Sequence, residues 1–147
     1  MADIIIRKAA SADIPQLLEL YKELQPHDPP IDTGMAITIF EKTANHGVIY
    51  FVADNGGLIV GSCYIAIIPN ITKQCSPIGF IENVVIASEY QRRGIGSKLM
   101  DAAIEHAKEN GCYKVTLQSG AKRVGAHKFY EAAGFDGNSK KAYEIRF

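Results

Sequence analysis

The chain has 147 residues, 47% of them hydrophobic and 22% charged, with sixteen basic residues offset by sixteen acidic ones. That length and composition suit one soluble domain spanning residues 1–147 with a core of its own. A net charge of zero argues against a broad nucleic-acid or polybasic membrane surface but leaves room for a local basic pocket.

The first apolar run, within IIIRKA (residues 4–9), predicts a short strand. Arg7 and Lys8 follow that run, the reverse of a secretory leader, and no apolar stretch approaches a membrane span. Ile14, Leu17, Leu18, Tyr21 and Leu24 recur at helical spacing behind Ser11, Asp13 and Pro15, which suit a helix start. The prolines of QPHDPP (residues 25–30) end that helix. A second helix is expected over Thr33–Ala44, closed by Gly47. VIYFVAD (residues 48–54) and LIVGSCYIAIIP (residues 58–69), joined at Asn55–Gly57, predict a hairpin. GFIENVVIAS (residues 79–88) is apolar on both faces for much of its length, as a central strand is. A long helix follows over Gly94–Asn110, its apolar face made by Ile95, Leu99, Ala102, Ala103, Ile104 and Ala107, with Gly111 as its stop. CYKVTLQ (residues 112–118) alternates as a strand, a helix is expected near Arg123–Ala133, and AYEIRF (residues 142–147) predicts a closing strand. A hairpin followed by alternating strands and helices implies a mixed sheet. Cys63, Cys75 and Cys112 form no CxxC pair and no zinc spacing, and they read as free thiols of a reducing cytoplasm. No His, Cys or Asp cluster has the spacing of a metal site.

The chemistry concentrates at Gln91-Arg92-Arg93-Gly94-Ile95-Gly96-Ser97, where a strand feeds a turn and the turn opens a helix. The first amides of a helix have no internal acceptor, and they point outward with the positive end of its dipole. Glycines there let an anion approach the backbone, and the arginines add charge. Neither the P-loop pattern nor GxGxxG is present. From the residues alone, the turn is either a pyrophosphate-sized site or a plain capped helix.

I-E-N-V-V-I followed by Q-R-R-G-I-G resembles motif A of the GNAT superfamily of N-acetyltransferases, and K-R-V-G-A-H-K-F-Y-E-A-A-G-F resembles the later helix of that family. The likeness runs in order along nearly the whole chain. It implies an α/β fold of the α+β kind, with a mixed central sheet of six to seven strands, about four flanking helices and a splay at the central strand. It further implies that Gln91, Arg92, Arg93, Gly94, Ile95, Gly96 and Ser97 hold the pyrophosphate of acetyl-coenzyme A. Backbone groups of Val84, Val85 and Ile86 would hold its pantetheine arm, and Arg123 and Lys128 either reach its phosphates or form a solvated helix start.

Acetyl transfer needs a neutral amine, a polarised thioester and a protonated leaving thiol, and a ternary complex supplies these without a protein nucleophile. No Ser-His-Asp or Cys-His arrangement suggests one. Tyr130 matches the family tyrosine near the coenzyme sulfur, so its phenol is the candidate acid; otherwise it is a core aromatic. Glu82, a carboxylate in an apolar strand, is either the base or a structural carboxylate paired with a neighbour. Asn83, expected on the opposite face, either orients substrate or bonds a loop. His27 and Asp28 lie where the family walls its acceptor site, and they are either substrate contacts or plain loop. His127 reads as a solvated or packing histidine.

Parts of the chain are similar to glucosamine-phosphate and aminoalkylphosphonate N-acetyltransferases. The expected acceptor is therefore the primary amine of a small metabolite. A protein or peptide amine, and a non-catalytic acetyl-coenzyme A sensor, are the alternatives. The closing strand offers a route to a homodimer.

Overall fold

The computed structural model describes residues 3–147. Strand β1 (Ile5–Lys8) leads through a 3-10 turn (Ser11–Asp13) into helix α1 (Ile14–Leu24), with Pro15 in the first turn where a missing amide costs no hydrogen bond. The Asp13 carboxylate accepts from the Ala10 amide at 2.7 Å and from both terminal nitrogens of Arg7 at 2.8 Å. Arg7 Nε also donates to Asp54 at 2.9 Å, so one guanidinium ties β1 to the start of α1 and the end of the next strand. Helix α2 (Thr33–Thr43) is capped by Asp32, which accepts from the Met35 amide at 2.7 Å.

Strands β2 (Val48–Asn55) and β3 (Leu58–Ile68) form the expected hairpin, with Gly56 and Gly57 at positive φ in its turn. A single turn, α3 (Thr72–Cys75), carries Lys73, Gln74 and Cys75 in the left-handed region. Then come β4 (Ile78–Ile86), a 3-10 turn (Ser88–Tyr90), α4 (Ile95–Glu109), β5 (Lys114–Leu117) and α5 (Val124–Ala132). The strands lie in sequence order; β1 to β4 are antiparallel, and β5 joins β4 in parallel.

Strand alternation gives the sheet two apolar faces. Phe51, Ala53, Val60, Cys63, Ile65 and Ile81 pack against Leu99, Met100, Ala103 and Ala107 of α4 and Tyr130 of α5. On the other face, Val52, Ile59 and Val85 pack against Ile14, Leu17 and Leu20 of α1. Among the described residues, no helix is long and apolar enough to cross a membrane.

One expectation fails. The described residues form a sheet of five strands, fewer than the six to seven implied by the resemblance, and residues 135–147 hold neither helix nor strand. The side chains of Tyr143, Ile145 and Phe147 stand in solvent at 84%, 83% and 118% exposure. Alternation satisfies strand propensity, but a strand also needs an edge to pair with. A cavity of about 990 Å³ is walled by β5, α4, α5 and residues 136–142, and residues 142–147 pair with no strand.

Candidate active site

The site is built around an interruption in β4. Tyr64 of β3 pairs with Glu82, but Ser62 pairs with Val85, so two steps along β3 answer three along β4. The extra residue is a bulge, and Asn83 absorbs it at φ 52°, a left-handed conformation that asparagine tolerates better than most. The simple alternation expected at Asn83 therefore breaks, and Glu82 and Val85 share the face toward α1. Pairing of β4 with β5 runs from Ile78/Lys114 to Ile81/Leu117 and stops there. Beyond it, the side of β4 that carries Val84, Val85 and Ile86 has no strand beside it, which leaves backbone groups open to a ligand. The side chains of Val84 and Ile86 pack on the α4 face and that of Val85 on the α1 face, so only their backbone can serve such a ligand.

The turn after β4 has two left-handed residues, Arg92 at φ 58° and Gly94 at φ 78°. Such alternation points successive amides into one concavity. Gly94 is the N-cap of α4 and supplies no side-chain acceptor, so the amides of Ile95, Gly96 and Ser97 have no partner within the helix. Nothing lies within 4 Å of the place where a Cβ on Gly94 would sit. Ile95 is buried in the core at 2% exposure and offers only its amide. Gln91 turns its side chain back, donating from Nε2 to the Ile86 carbonyl at 3.2 Å. Arg93 lies over the Tyr90 ring at 5.2 Å, and Arg92 is exposed. Gly96 answers a second demand: a Cβ there would meet Phe129 Cζ at 2.9 Å. Its bareness lets α5 close onto the first turn of α4.

That contact sets the next residue, Tyr130, which is 9% exposed between the rings of Phe129 at 5.1 Å and Phe135 at 6.2 Å. Burial holds the Tyr130 phenol above its usual acidity range; the Arg123 charge opposes this, while Cys63 and Glu82 reinforce it. The phenol is thus held neutral, and the Glu82 charge is the smallest of the influences on it. Glu82 is half-buried, not fully buried. Among the described residues, its side chain takes part in none of the hydrogen bonds or ion pairs.

Arg123 and Lys128 are exposed, at and beyond the start of α5. Half-buried His127 fixes the loop before them through a 2.8 Å contact between Nε2 and the Gly120 carbonyl. If Nε2 carries the ring proton, it donates there. His27 and Asp28 are exposed in the α1–α2 loop, and the structure brings neither to Glu82 or Tyr130 by a hydrogen bond or ring contact among the described residues.

Sequence reasoning missed Tyr64. It lies directly across from Glu82 and stacks on Tyr50 at 5.1 Å, which meets Phe40 at 5.4 Å. Burial raises the Tyr64 phenol above its usual range, and the Glu82 charge adds to the effect. The Tyr21 hydroxyl is buried without a hydrogen-bond partner among the described residues, and the Ser62 hydroxyl donates to the Phe51 carbonyl at 3.0 Å. No spacing in the sequence reveals these neighbours, since the bulge sets the register that joins them.

The profile of the acetyltransferase (GNAT) family matches residues 14–135. The chain belongs to this family. As a GNAT enzyme it is an N-acetyltransferase, and acetyl-coenzyme A is its co-substrate. It is 30% identical over 143 residues to a glucosamine 6-phosphate N-acetyltransferase of Trypanosoma brucei brucei, covering 96% of this chain and 95% of that one. It is 29% identical over 135 residues to glucosamine 6-phosphate N-acetyltransferase 1 of Oryza sativa subsp. japonica, covering 88% and 79%. Among solved structures it is similar to a putative acetyltransferase from Agrobacterium tumefaciens, with a TM-score of 0.92 and 40% identity over 98% of this chain and 100% of that one. The GNAT fold is therefore the frame in which the interrupted strand and the open turn stand.

Proposed function

We propose that residues 1–147 work as one acetyltransferase domain that moves the acetyl group of acetyl-coenzyme A to the primary amine of a small, anionic metabolite, an amino sugar phosphate first of all. Direct attack in a ternary complex is the reading that fits these residues. Gln91–Ser97 hold the pyrophosphate on backbone amides, with Arg92 and Arg93 adding charge; the unpaired backbone of Val84–Ile86 holds the pantetheine arm, and Arg123 and Lys128 lie toward the phosphates. Glu82 takes the proton from the acceptor ammonium, directly or through one water. The amine nitrogen bonds to the acetyl carbon, the carbon–sulfur bond breaks as Tyr130 gives its phenolic proton to the thiolate, and the second proton that the nitrogen sheds as the amide forms returns through water to the Tyr130 phenolate. Asn83 and His27 face the acceptor. The name of the trypanosomal relative supports the choice of acceptor.

The observation that carries the reading is a carboxylate with no side-chain partner, Glu82, on the strand whose backbone stands open at Val84–Ile86, together with a buried neutral phenol, Tyr130. A structural carboxylate would have bonded a neighbour. Release of free thiol from acetyl-coenzyme A tests this against glucosamine 6-phosphate, an aminoalkylphosphonate, an aminoglycoside and a peptide N-terminus. Thiol release with the first two is expected. Release only with the peptide would move the reading to protein amines, and binding without release on these and a broad further panel of amines would favour a sensor.

We further read the free thiols Cys63, Cys75 and Cys112 as those of a cytoplasmic protein. The exposed alternation of Tyr143, Ile145 and Phe147, beside an edge strand of four residues, supports a homodimer in which these segments add to β5. Sedimentation of the full chain and of a chain lacking residues 142–147 checks this: the first should be a dimer and the second a monomer.

A further inference from the structure

The segment that carries the chain from β4 to the coenzyme turn begins without a cap of its own. Its last tie to the sheet is the Ala87 amide, which donates to the Val60 carbonyl at 2.9 Å. Ala87 then stands at the N-cap of the Ser88–Tyr90 turn, where alanine has no acceptor to offer. The acceptor comes from elsewhere. Glu23 Oε2 receives the Ser88 amide at 2.9 Å and the Ser88 hydroxyl at 2.7 Å, across 65 residues of sequence. Glu23 is the next-to-last residue of α1, and the chain passes from there into the loop of residues 25–32 that carries His27 and Asp28.

One carboxylate oxygen thus joins the end of α1 to the start of the turn. The far end of the turn is held separately, by the Asn55 amide on the Tyr90 hydroxyl at 3.3 Å and by the Tyr90 ring beneath Arg93. A shift of Ser88 that did not move α1 would break two charge-assisted bonds. A shift of the end of α1 moves the residues that enter the 25–32 loop.

We propose that Glu23 is a positioning residue that couples the coenzyme turn to the α1–α2 loop. Coenzyme bound on residues 91–97 fixes Ser88, Ser88 fixes the last turn of α1 through Glu23, and the loop of residues 25–32 becomes ordered. The coupling is reciprocal, so an acceptor bound against that loop tightens the coenzyme by the same factor. For a single exposed bridge the factor belongs at the low end of measured couplings, about fivefold. The proposal rests on the reading of residues 91–97 as the coenzyme site.

Hydrogen exchange on the full chain, with and without coenzyme A, tests it. In the wild type, coenzyme A should slow exchange both at residues 91–97 and at the amides of His27, Asp28, Ile31 and Asp32. In Glu23→Ala, the slowing at 91–97 should persist and that at the loop should vanish. Glu23→Gln, whose amide oxygen still accepts from Ser88, should restore much of it. Ser88→Ala, which removes only the hydroxyl, should fall between and serves if Glu23→Ala does not fold. Equal slowing of the loop in the wild type and in the disabling variants overturns the proposal. So does a loop indifferent to coenzyme A while residues 91–97 respond. If residues 91–97 themselves do not respond in the wild type, the coenzyme-site reading falls and takes this one with it.

Discussion

Gly94 is a position at which charge can be varied almost alone. Its φ is 78°, and nothing lies within 4 Å of where a Cβ would sit. Asparagine and aspartate tolerate left-handed backbone best among residues with side chains, and they are nearly isosteric. Gly94→Asn and Gly94→Asp therefore share one backbone penalty, about 1 kcal/mol, and differ by one charge. The free amides of Ile95, Gly96 and Ser97 would seat a diphosphate about 6 Å from the introduced carboxylate. At an effective dielectric of about 40, between the near-surface and bulk-water values, one pair of unit charges at that distance repels by about 1.4 kcal/mol. That is about tenfold in Kd, and about a hundredfold if two phosphate charges act together. Titration calorimetry with coenzyme A should show Gly94→Asn close to the wild type and Gly94→Asp weaker by about ten- to a hundredfold. The gap should close near 1 M salt, where the screening length falls to about 3 Å. Equal affinities for the two variants at low salt would refute a diphosphate on this turn.

Gly96→Ala tests packing, not charge: its methyl runs into Phe129, so a loss of about 1–3 kcal/mol is expected, read by thermal melting and relieved by Phe129→Leu. Tyr130→Phe should lower kcat by about a hundredfold while coenzyme affinity stays near normal; an unchanged rate returns Tyr130 to a purely packing role. Glu82→Gln should cost most at low pH, where deprotonation of the amine limits the rate, and a loss that is flat with pH would remove it as the base. The Arg7 cluster predicts a pH dependence of stability. The Arg7 guanidinium holds Asp13 below the usual carboxylate range, and the Gly57 amide followed by Arg7 does the same for Asp54. Their contribution is present above the unfolded carboxylate pKa of about 4 and is lost as pH falls through the lower folded values. Arg7→Met should cost about 1–2 kcal/mol at neutral pH and flatten the decline in melting temperature below pH 4; parallel curves would refute the assignment.

What could be read from the sequence was what neighbours in the chain decide. The periodicity of α4 and the glycines that end it were legible, as was the turn from Gln91 to Ser97, because helix onset and left-handed backbone are local matters. The bulge at Asn83 was not, since a bulge exists only relative to the strand opposite. With it went the facing of Glu82 and its neighbour Tyr64. Gly96 was read as room for an anion, whereas the structure shows it also as room for Phe129, a contact made by a residue 33 positions away. Ala142–Phe147 has the alternation of a strand but pairs with no strand of this chain, so its pattern alone misled.

The early end of the ladder between β4 and β5 has a consequence for the catalytic cycle. If coenzyme lies against Val84–Ile86 as proposed, it stands where a neighbouring strand would lie beyond Leu117, so loading the enzyme would zip the sheet and discharging it would unzip a seam one backbone contact after another. Departure of the spent thiol carrier, not bond making at the nitrogen, then becomes the natural brake on turnover.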